Sequence, residues 1–327
     1  MQGATDTVTY LDAISLALRD ALEGDDRVFL IGEDIGHFGG AFGVTKGLWE
    51  EFGDARVIDT PISEEGFVGA AIGAAWMGER PIVELQFADF VSCAFDPIVT
   101  VAAKTHWRSG IPIPLVVRLP YGGGIRGGPF HASCPEGWFV GTAGLKVVCP
   151  GTVEDADGLV RSAVEDDDPV LLFEHKALYR RLRAPRPDPA TRTPIGRARV
   201  ARAGTDLTVV TYGAGVDLAL RTADGLAAEA SLEVLDLRTI WPLDSGAILE
   251  SVARTSRALV LQEAARSTGA ADHVVSLIAR EAFAHLDAPV AVHAPPDTPV
   301  PFAPELEDGY LPSTASLEAA VRDMLAW

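Results

Sequence analysis

The chain has few cysteines and no long apolar segment. Its three cysteines, Cys93, Cys134 and Cys149, lie far apart and form no Cys-x-x-Cys pair, which predicts reduced thiols and excludes a zinc or disulfide framework. No apolar run reaches the length of about 18 residues that a transmembrane helix needs, and charged residues such as Asp6 and Arg19 occur early. The sequence therefore predicts a cytoplasmic protein outside the membrane, or a mitochondrial matrix protein if a transit peptide has been removed.

Basic residues are also scarce. Lysine and arginine together number 27 against 46 aspartates and glutamates, so the formal net charge is −19. Such a chain repels a nucleic-acid backbone or an anionic membrane surface, and no basic patch offsets that repulsion. With 48% hydrophobic and 22% charged residues the chain has the composition of a globular protein. We therefore expect neither nucleic acid nor membrane as a partner.

Nucleotide-binding motifs are absent or incomplete. No Gly-x-x-x-x-Gly-Lys-[Ser/Thr] sequence occurs, which excludes a P-loop. Gly213-Ala-Gly215, with Asp236 about twenty residues further on, is similar to a dinucleotide fingerprint, but Leu218 stands at the third glycine position. An NAD-binding site at Gly213–Asp236 is one interpretation of this pattern, and an ordinary strand-to-helix turn is the other.

A second glycine-rich stretch, Gly122–Gly128, follows a predicted strand but opens no helix. Its five glycines in seven residues predict a mobile loop that can approach a ligand closely, in which Arg126 could meet an anion. The alternative is a flexible surface loop. His131 lies just beyond, and because histidine exchanges protons near neutral pH it is a candidate acid–base group. No Asp or Glu precedes it in a triad-like motif, so a hydrolase triad lacks support.

Short apolar runs alternate with helix-length amphipathic segments, which is typical of βα units in a parallel sheet. In the first part of the chain the predicted strands are Val28–Gly32, Arg56–Thr60, Pro81–Phe87, Leu115–Leu119, Leu145–Cys149 and Val170–Phe173, and the predicted helices are Tyr10–Leu22, Glu64–Met77, Pro97–Thr105 and Val153–Val164. In the second part the predicted strands are Leu207–Tyr212, Leu232–Leu237, Ala258–Gln262 and Val290–His293, and the predicted helices are Val216–Ala230, Ser245–Thr255, Ala271–Phe283 and Leu317–Trp327.

A proline-rich segment separates the two parts. Residues 183–197 read RAPRPDPATRTPIGR, whose four prolines cannot hold a helix or a central strand. The sequence thus predicts an α/β protein with two doubly wound domains of mostly parallel sheets. The expected limits are residues 1–182 for the first domain, 183–198 for the linker and 199–327 for the second domain.

The stretch Pro61–Gly69 follows a predicted strand and begins a predicted helix. We expect Ser63 to cap this helix, and Glu64 falls in its first turn, where the helix dipole favours a carboxylate. A structural role is the ordinary interpretation of a single glutamate. One side of the helix, however, carries three glycines, Gly66, Gly69 and Gly73. They would let another helix or a ligand approach the backbone, which indicates a functional carboxylate.

A set of motifs extends along nearly the whole chain: Gly32-Glu-Asp-Ile-Gly36, Asp59-Thr-Pro-Ile-Ser-Glu64, Glu84-Leu-Gln-Phe-Ala-Asp-Phe90, His131, Cys134-Pro-Glu136, Gly144-Leu-Lys-Val-Val148, Leu235-Asp-Leu-Arg-Thr239, Pro242 and Tyr310-Leu-Pro312. In order and spacing, this set resembles the β subunits of the E1 components of thiamin diphosphate-dependent 2-oxoacid dehydrogenases. The resemblance implies a transketolase-like pyrimidine-binding domain followed by a transketolase C-terminal domain. It also implies an α2β2 heterotetramer with an E1 α subunit, and acyl transfer to the lipoyl arm of an E2 acyltransferase.

The resemblance also implies roles for individual residues. Glu64 would hydrogen-bond N1′ of the cofactor's aminopyrimidine and favour the imino tautomer that deprotonates the thiazolium. A buried carboxylate beside a neutral ring nitrogen suits this role because its proton affinity is raised. Phe90 would pack against the pyrimidine, Ile62 and Gln86 would line the pocket, and His131 would serve substrate binding or reductive acylation.

The same resemblance implies two metal ions, Mg²⁺ and K⁺. Related enzymes that hold the whole site bind the diphosphate through Mg²⁺ with a Gly-Asp-Gly motif, which this chain lacks. We therefore expect the diphosphate and Mg²⁺ on the α subunit, and no activity from this chain alone. A structural K⁺ is implied at backbone oxygens of Leu115, Ala163, Val164, Asp166 and Asp168. The family often has asparagine at the last position, and residues 165–168 are alternatively a solvated acidic turn.

The substrate is open at this stage. Phe90 stands where related sequences often have tyrosine, and Ala132-Ser133-Cys134 stands where Ser-Gln-Ser is common. The stretch Gln86–Phe90 favours a branched-chain 2-oxoacid, with pyruvate dehydrogenase and acetoin dehydrogenase β subunits as alternatives. From other classes, the alternatives are a cofactor-free scaffold or E2-docking subunit and the NAD-binding interpretation.

Overall fold

The computed structural model describes residues 6–327, and the chain divides into two compact units. The first unit comprises the described residues up to Tyr121 together with Gly141–Ile195, and the second comprises Gly122–Val140 together with Gly196–Trp327. The segment with the glycine-rich loop and His131 therefore belongs to the second unit, although in sequence it interrupts the first. The predicted domain limits stay a prediction.

The first unit alternates strands and helices. Its strands are β1 (Thr7–Thr9), β2 (Val28–Gly32), β3 (Val57–Asp59), β4 (Arg80–Glu84), β5 (Val116–Tyr121), β6 (Lys146–Val148), β7 (Val170–His175) and β8 (Arg183–Pro185). Its α-helices are α1 (Tyr10–Gly24), α2 (Leu48–Phe52), α3 (Glu64–Trp76), α4 (Ala103–Ser109), α5 (Val153–Glu165) and α6 (Leu178–Arg181). A 3₁₀ helix covers Ala88–Ala94, and a π-helical turn covers Pro97–Ala102.

The main sheet of the first unit is parallel, with its strands in the order β6-β7-β5-β4-β2-β3. Every residue of β5 and β7 is buried, as expected for central parallel strands that helices cover on both faces. Helix α1 begins with a capping box in which Thr9 and Asp12 bond each other's backbone N–H. Strands β1 and β8 pair antiparallel in a separate ribbon.

The second unit has the same alternation. Its strands are β9 (Arg199–Arg202), β10 (Leu207–Thr211), β11 (Leu232–Asp236), β12 (Thr239–Trp241), β13 (Ala258–Leu261) and β14 (Ala291–His293). Its α-helices are α7 (Ala214–Gly225), α8 (Ser245–Thr255), α9 (Ala271–Glu281), α10 (Pro304–Tyr310) and α11 (Thr314–Leu325). Short 3₁₀ helices cover Gly128–Phe130, Pro135–Trp138 and Phe283–His285.

The sheet of the second unit has the order β14-β13-β10-β11-β9, in which only the edge strand β9 is antiparallel. Helices α7 and α11 bury apolar side chains against this sheet, among them Leu218, Val321 and Met324. Two units with mostly parallel sheets confirm the predicted α/β fold class. No helix within residues 6–327 is long and apolar enough to cross a membrane.

Most predicted elements are present with ends shifted by a few residues, and the differences have local causes. The predicted helix Pro97–Thr105 is a π-helical turn that continues into α4. The short edge strands β1, β8 and β9 and the short helices α2 and α10 carry too few residues to show a period. Strand β8 lies at the start of the proline-rich segment, where it pairs only with β1, so the prolines exclude a central strand as expected.

Candidate active site

The candidate site of the first unit lies at the carboxyl ends of three neighbouring parallel strands. Strand β2 pairs with both β3 and β4, so the residues that follow these strands gather at one edge of the sheet. Glu33 and Asp34 follow β2, Glu64 begins the helix after β3, and Gln86 follows β4. This edge is where open parallel sheets bind ligands.

Glu64 is the first residue of α3 and is half-buried. The expectation that Ser63 caps this helix is wrong, because its side chain makes no capping hydrogen bond. The Ser63 backbone N–H instead lies near the Glu33 carboxylate and acts to lower its pKa. The start of α3 and the end of β2 therefore lie close together, and so do the carboxylates of Glu33 and Glu64.

Glu33 is buried, with 5% of its surface exposed. Its Oε1 accepts no hydrogen bond from any residue between 6 and 327. Burial, followed by the negative charges of Glu64 and Asp34, raises the pKa of Glu33. An incompletely bonded carboxylate of this kind is ready to share a proton with a ligand.

Of the other predicted pocket residues, Gln86 contacts the carboxylate beside Glu33. Gln86 donates from Nε2 to Asp34 Oδ2 at 2.9 Å, and Asp34 has a left-handed backbone with φ of 56°, a conformation that clusters at functional sites. The Phe90 ring meets Phe87 edge-on at 5.8 Å between centroids. Ile62, two residues before Glu64 in the sequence, is 83% exposed.

Asp59 shapes the chain that leaves β2. Its Oδ1 accepts the Gly36 N–H at 2.6 Å, and a Cβ at Gly36 would lie 2.6 Å from its Oδ2. The glycine of the Gly-Glu-Asp-Ile-Gly motif is therefore required by the close approach of this carboxylate. The contact ties the end of β3 to the loop after β2.

A second carboxylate cluster of the first unit surrounds a guanidinium, and we call it the Arg118 triad. Arg118 on β5 donates to Glu84 on β4 and to both oxygens of Glu174 on β7, at 2.7 and 2.8 Å. The Tyr179 hydroxyl donates to Glu174 Oε2 at 2.7 Å. All three charged side chains are buried, and the two carboxylates raise the pKa of Arg118 while burial raises that of Glu84.

His131 lies in the second unit and is half-buried. Its backbone N–H points to the Gly128 carbonyl at 3.5 Å. The anion that Arg126 meets in this structure belongs to the chain itself, because its guanidinium pairs with Glu307 and Asp308, each at 2.8 Å. A cavity of about 140 Å³ adjoins this segment and is lined by residues that include Ser133, Cys134, Glu263, Tyr310 and Leu311.

The five residues with the implied K⁺ oxygens lie together in the first unit. The Leu115 carbonyl accepts the Val170 N–H, and the Ala163 carbonyl accepts the Asp166 N–H. The carbonyls of Val164 and Asp166 accept the Arg80 guanidinium at 2.8 and 3.2 Å. The charges of the acidic turn are paired, since Lys146 contacts the carboxylates of Asp166 and Asp168. Each of these carbonyls retains a second lone pair.

The dinucleotide-like pattern has ordinary structural roles. Leu218 packs in the core of the second unit, and the Asp236 carboxylate is buried and pairs with Arg199 at 3.2 Å. The carboxylate that would bind a ribose is therefore already engaged. The structure favours the strand-to-helix turn over an NAD site.

Sequence reasoning assigned no role to Glu33, Asp59, Glu263 or Glu307. Glu33 and Asp59 lie at the ends of adjacent predicted strands, and that position was the available signal. Glu263 and Glu307 contact the glycine-rich loop from more than a hundred residues away, a proximity that no local pattern encodes.

Comparisons with known proteins identify the family of the two domains. The family described as transketolase, pyrimidine binding domain matches residues 6–181, and transketolase, C-terminal domain matches residues 196–317. A solved structure titled split gene transketolase, inactive beta4 tetramer superposes with a TM-score of 0.79 over 98% of both chains, at 20% identity. The two domains define a transketolase-like protein.

Curated relatives narrow the class. The 2-oxoisovalerate dehydrogenase subunit beta of Bacillus subtilis is 44% identical over 97% of this chain and 98% of its own length. The pyruvate dehydrogenase E1 component subunit beta of the same organism is 42% identical over the same shares. The acetoin:2,6-dichlorophenolindophenol oxidoreductase subunit beta of Cupriavidus necator is 43% identical over 95% of this chain and 96% of its own.

The chain belongs to the β subunits of 2-oxoacid dehydrogenase E1 components. It is one part of an oxidoreductase whose chemistry depends on thiamin diphosphate, and its family name implies an α subunit as partner.

Proposed function

We propose that this β subunit binds the aminopyrimidine of thiamin diphosphate at Glu64 and acts in the oxidative decarboxylation of a branched-chain 2-oxoacid. The observation that carries the proposal is the pair of carboxylates, Glu33 and Glu64, at the carboxyl ends of β2 and β3. The relative with 44% identity acts on 2-oxoisovalerate by its name. That relative and the Gln86–Phe90 stretch together support the branched-chain substrate.

The residues present fit an uncharged heterocycle. Glu64 offers a half-buried carboxylate, Gln86 an amide, and Phe90 and Ile62 apolar surface. Within residues 6–327, no lysine or arginine forms an ion pair with Glu33, Asp34 or Glu64. A diphosphate would meet only negative charge here, which supports the proposal that the α subunit holds the diphosphate and Mg²⁺.

Each residue then has a defined task. When bound, thiamin diphosphate supplies the carbon nucleophile and the electron sink that decarboxylation of a 2-oxoacid requires. Glu64 would hold a proton at ring atom N1′, while Glu33 with its raised pKa keeps a second proton-binding carboxylate close by. Phe90 and Ile62 would fix the ring plane, and Gln86 would orient Asp34. His131 would bind substrate or serve reductive acylation of the lipoyl group.

Assembly is the second part of the proposal. We propose an α2β2 heterotetramer that passes its acyl group to a lipoyl-bearing E2 acyltransferase. Large apolar side chains on the first unit support a partner: Trp107 is 93% exposed, and it lines an apolar groove with Phe95 and Val99. Exposed apolar patches of this kind mark contact surfaces.

A structural K⁺ belongs to the same proposal. The carbonyls of Ala163, Val164 and Asp166 lie at the end of α5, and the C-terminal end of a helix favours a cation. The Arg80 guanidinium already contacts two of them, which is consistent with a site that attracts positive charge.

The proposed function is tested by Glu64→Gln in the enzyme co-purified with its α partner. We expect the rate of 2-oxoisovalerate decarboxylation to fall by about a hundredfold or more, because the amide cannot exchange the proton. Glu65→Gln is the matched control, since this neighbour is exposed on the same helix turn. Retained activity in Glu64→Gln would contradict the role of Glu64. A higher kcat/KM for pyruvate than for 2-oxoisovalerate would overturn only the substrate.

A further inference from the structure

The glycine loop, defined as Gly122–Gly128, is held from two sides by carboxylates of its own unit. The Gly123 N–H donates to Glu263 Oε1 at 2.6 Å, and the Gly124 N–H donates to Glu307 Oε1 at 3.0 Å. Glu263 follows strand β13, and Glu307 lies on α10. Two consecutive backbone donors of the loop are thus fixed by charged acceptors, which form stronger hydrogen bonds than neutral groups.

Arg126, near the tip of the loop, also donates to Glu307. Its Nη1 donates to Glu307 Oε2 at 2.8 Å and to the Pro304 carbonyl at 2.9 Å. Glu307 therefore bonds the loop twice, with one oxygen on the backbone and the other on the guanidinium. The Glu307 side chain has no exposed surface, while the Asp308 side chain beside it is 66% exposed, so Glu307 is the buried anchor.

The end of the loop sets the position of His131. A Cβ at Gly127 would lie 2.9 Å from the His131 carbonyl oxygen, so the backbone of these two residues is closely packed. Gly128 has φ of 64°, and a Cβ there would meet the Phe302 ring at 2.6 Å. Both glycines are required by close approach, and a displacement of the loop would therefore move His131.

A loop with five glycines has much conformational freedom, and an isolated loop of this composition would not hold a histidine in one place. The anchors by Glu263 and Glu307 supply the missing restraint. Glu263 follows the buried strand β13, and Glu307 is the buried residue of α10. Such support from a rigid scaffold is what precise placement of a functional side chain requires.

We infer that Glu307, together with Arg126, is a positioning residue that holds the glycine loop so that His131 reaches its working position. The inference rests on the proposed role of His131 and deepens it. Glu263 is the second anchor of the same loop through the Gly123 N–H. None of these three residues needs to touch the substrate.

The test uses the complex with its α partner and compares Glu307→Ala, Glu307→Gln and His131→Ala. In Glu307→Ala we expect kcat for the 2-oxoacid to fall by about tenfold to a hundredfold with a smaller change in KM, because a misplaced group loses rate rather than substrate affinity. Glu307→Gln keeps a carbonyl acceptor for the Gly124 N–H and should recover part of the loss. Glu305→Ala, an exposed glutamate on the same helix, is the matched control.

The decisive measurement is the double variant His131→Ala with Glu307→Ala. If Glu307 acts through His131, the double variant is as slow as His131→Ala alone, whereas independent roles give multiplied losses. Multiplied losses, or full kcat in Glu307→Ala, would overturn the inference. If His131→Ala itself keeps full activity, the proposed role of His131 fails instead, so the two failures are distinguishable.

Discussion

The first unit contains two carboxylate clusters at the same edge of one sheet, and they differ in how charge is balanced. In the Arg118 triad, two buried carboxylates share one guanidinium, and the Tyr179 hydroxyl bonds one of them. Around Glu33 and Glu64, three carboxylates including Asp34 lie close together without an ion pair to lysine or arginine in residues 6–327. The first arrangement has its hydrogen bonds satisfied, and the second leaves Glu33 Oε1 open.

This difference in charge balance indicates a structural role for the Arg118 triad and a functional role for the group around Glu33 and Glu64. A compensated buried network fixes neighbouring strands, since β4, β5 and β7 are joined across the sheet by the triad. An uncompensated group of carboxylates opposes folding, and it persists where a ligand or a proton completes it. One member of the triad, Glu84, ends strand β4, which leads into Gln86 and Phe90, so the satisfied cluster supports the unsatisfied one.

The largest effect should come from breaking the compensated cluster. Arg118→Met removes the only guanidinium in contact with Glu84 and Glu174 among the described residues. We expect a loss of about 3–5 kcal/mol in the free energy of unfolding, because two buried carboxylates are left unpaired. Urea unfolding of the α/β complex measures this, and Arg27→Met, which removes an exposed pair with Asp25, should leave the midpoint nearly unchanged. A small change in Arg118→Met would show that the triad contributes little.

Glu136 in the second unit is intermediate between these cases, because a neutral hydroxyl, and not a guanidinium, bonds its side chain. Its side chain is buried, the Tyr212 hydroxyl bonds Oε1 at 2.8 Å, and Oε2 has no partner in the described chain. Burial raises the pKa of Glu136 from 4.5 to about 7. The folded state therefore binds the proton more tightly than the unfolded state, and stability from this group is complete below pH 4.5 and lost as pH rises through about 7.

The corresponding prediction is a pH dependence of stability. From pH 5 to pH 8 the protein should lose up to about 3 kcal/mol of unfolding free energy through Glu136, since the raised pKa converts at about 1.4 kcal/mol per unit. Glu136→Gln, which mimics the protonated form, should remove this part of the slope. Unfolding curves at both pH values decide the matter, and an identical slope in the variant would show that a hydroxyl compensates the charge sufficiently.

The sequence alone predicted the fold class and, within the candidate site, Glu64. The apolar runs of β5 and β7 show buried parallel strands directly, and Glu64 is found where a strand leads into a helix. The proximity of Glu33 to the Ser63 N–H was not predictable, because it depends on how β2 and β3 lie side by side. The contacts of Glu307 with the glycine loop depend on tertiary packing between residues far apart in sequence. No hydrophobic periodicity or sequence motif predicts such contacts.

The smallest expected effect is a gain, and not a loss, of stability, and it comes from a change in the uncompensated cluster around Glu33 and Glu64. Glu33→Gln keeps an oxygen for the Ser63 N–H and removes one of three neighbouring negative charges. We expect the protein to gain about 1 kcal/mol of unfolding free energy, as when a functional site is relieved of strain or repulsion, while decarboxylation slows. Thermal unfolding and activity of the same complex provide both readouts, with the exposed Glu79→Gln as control. A loss of stability in Glu33→Gln would mean that this carboxylate is compensated like the Arg118 triad, and the distinction between the clusters would fail.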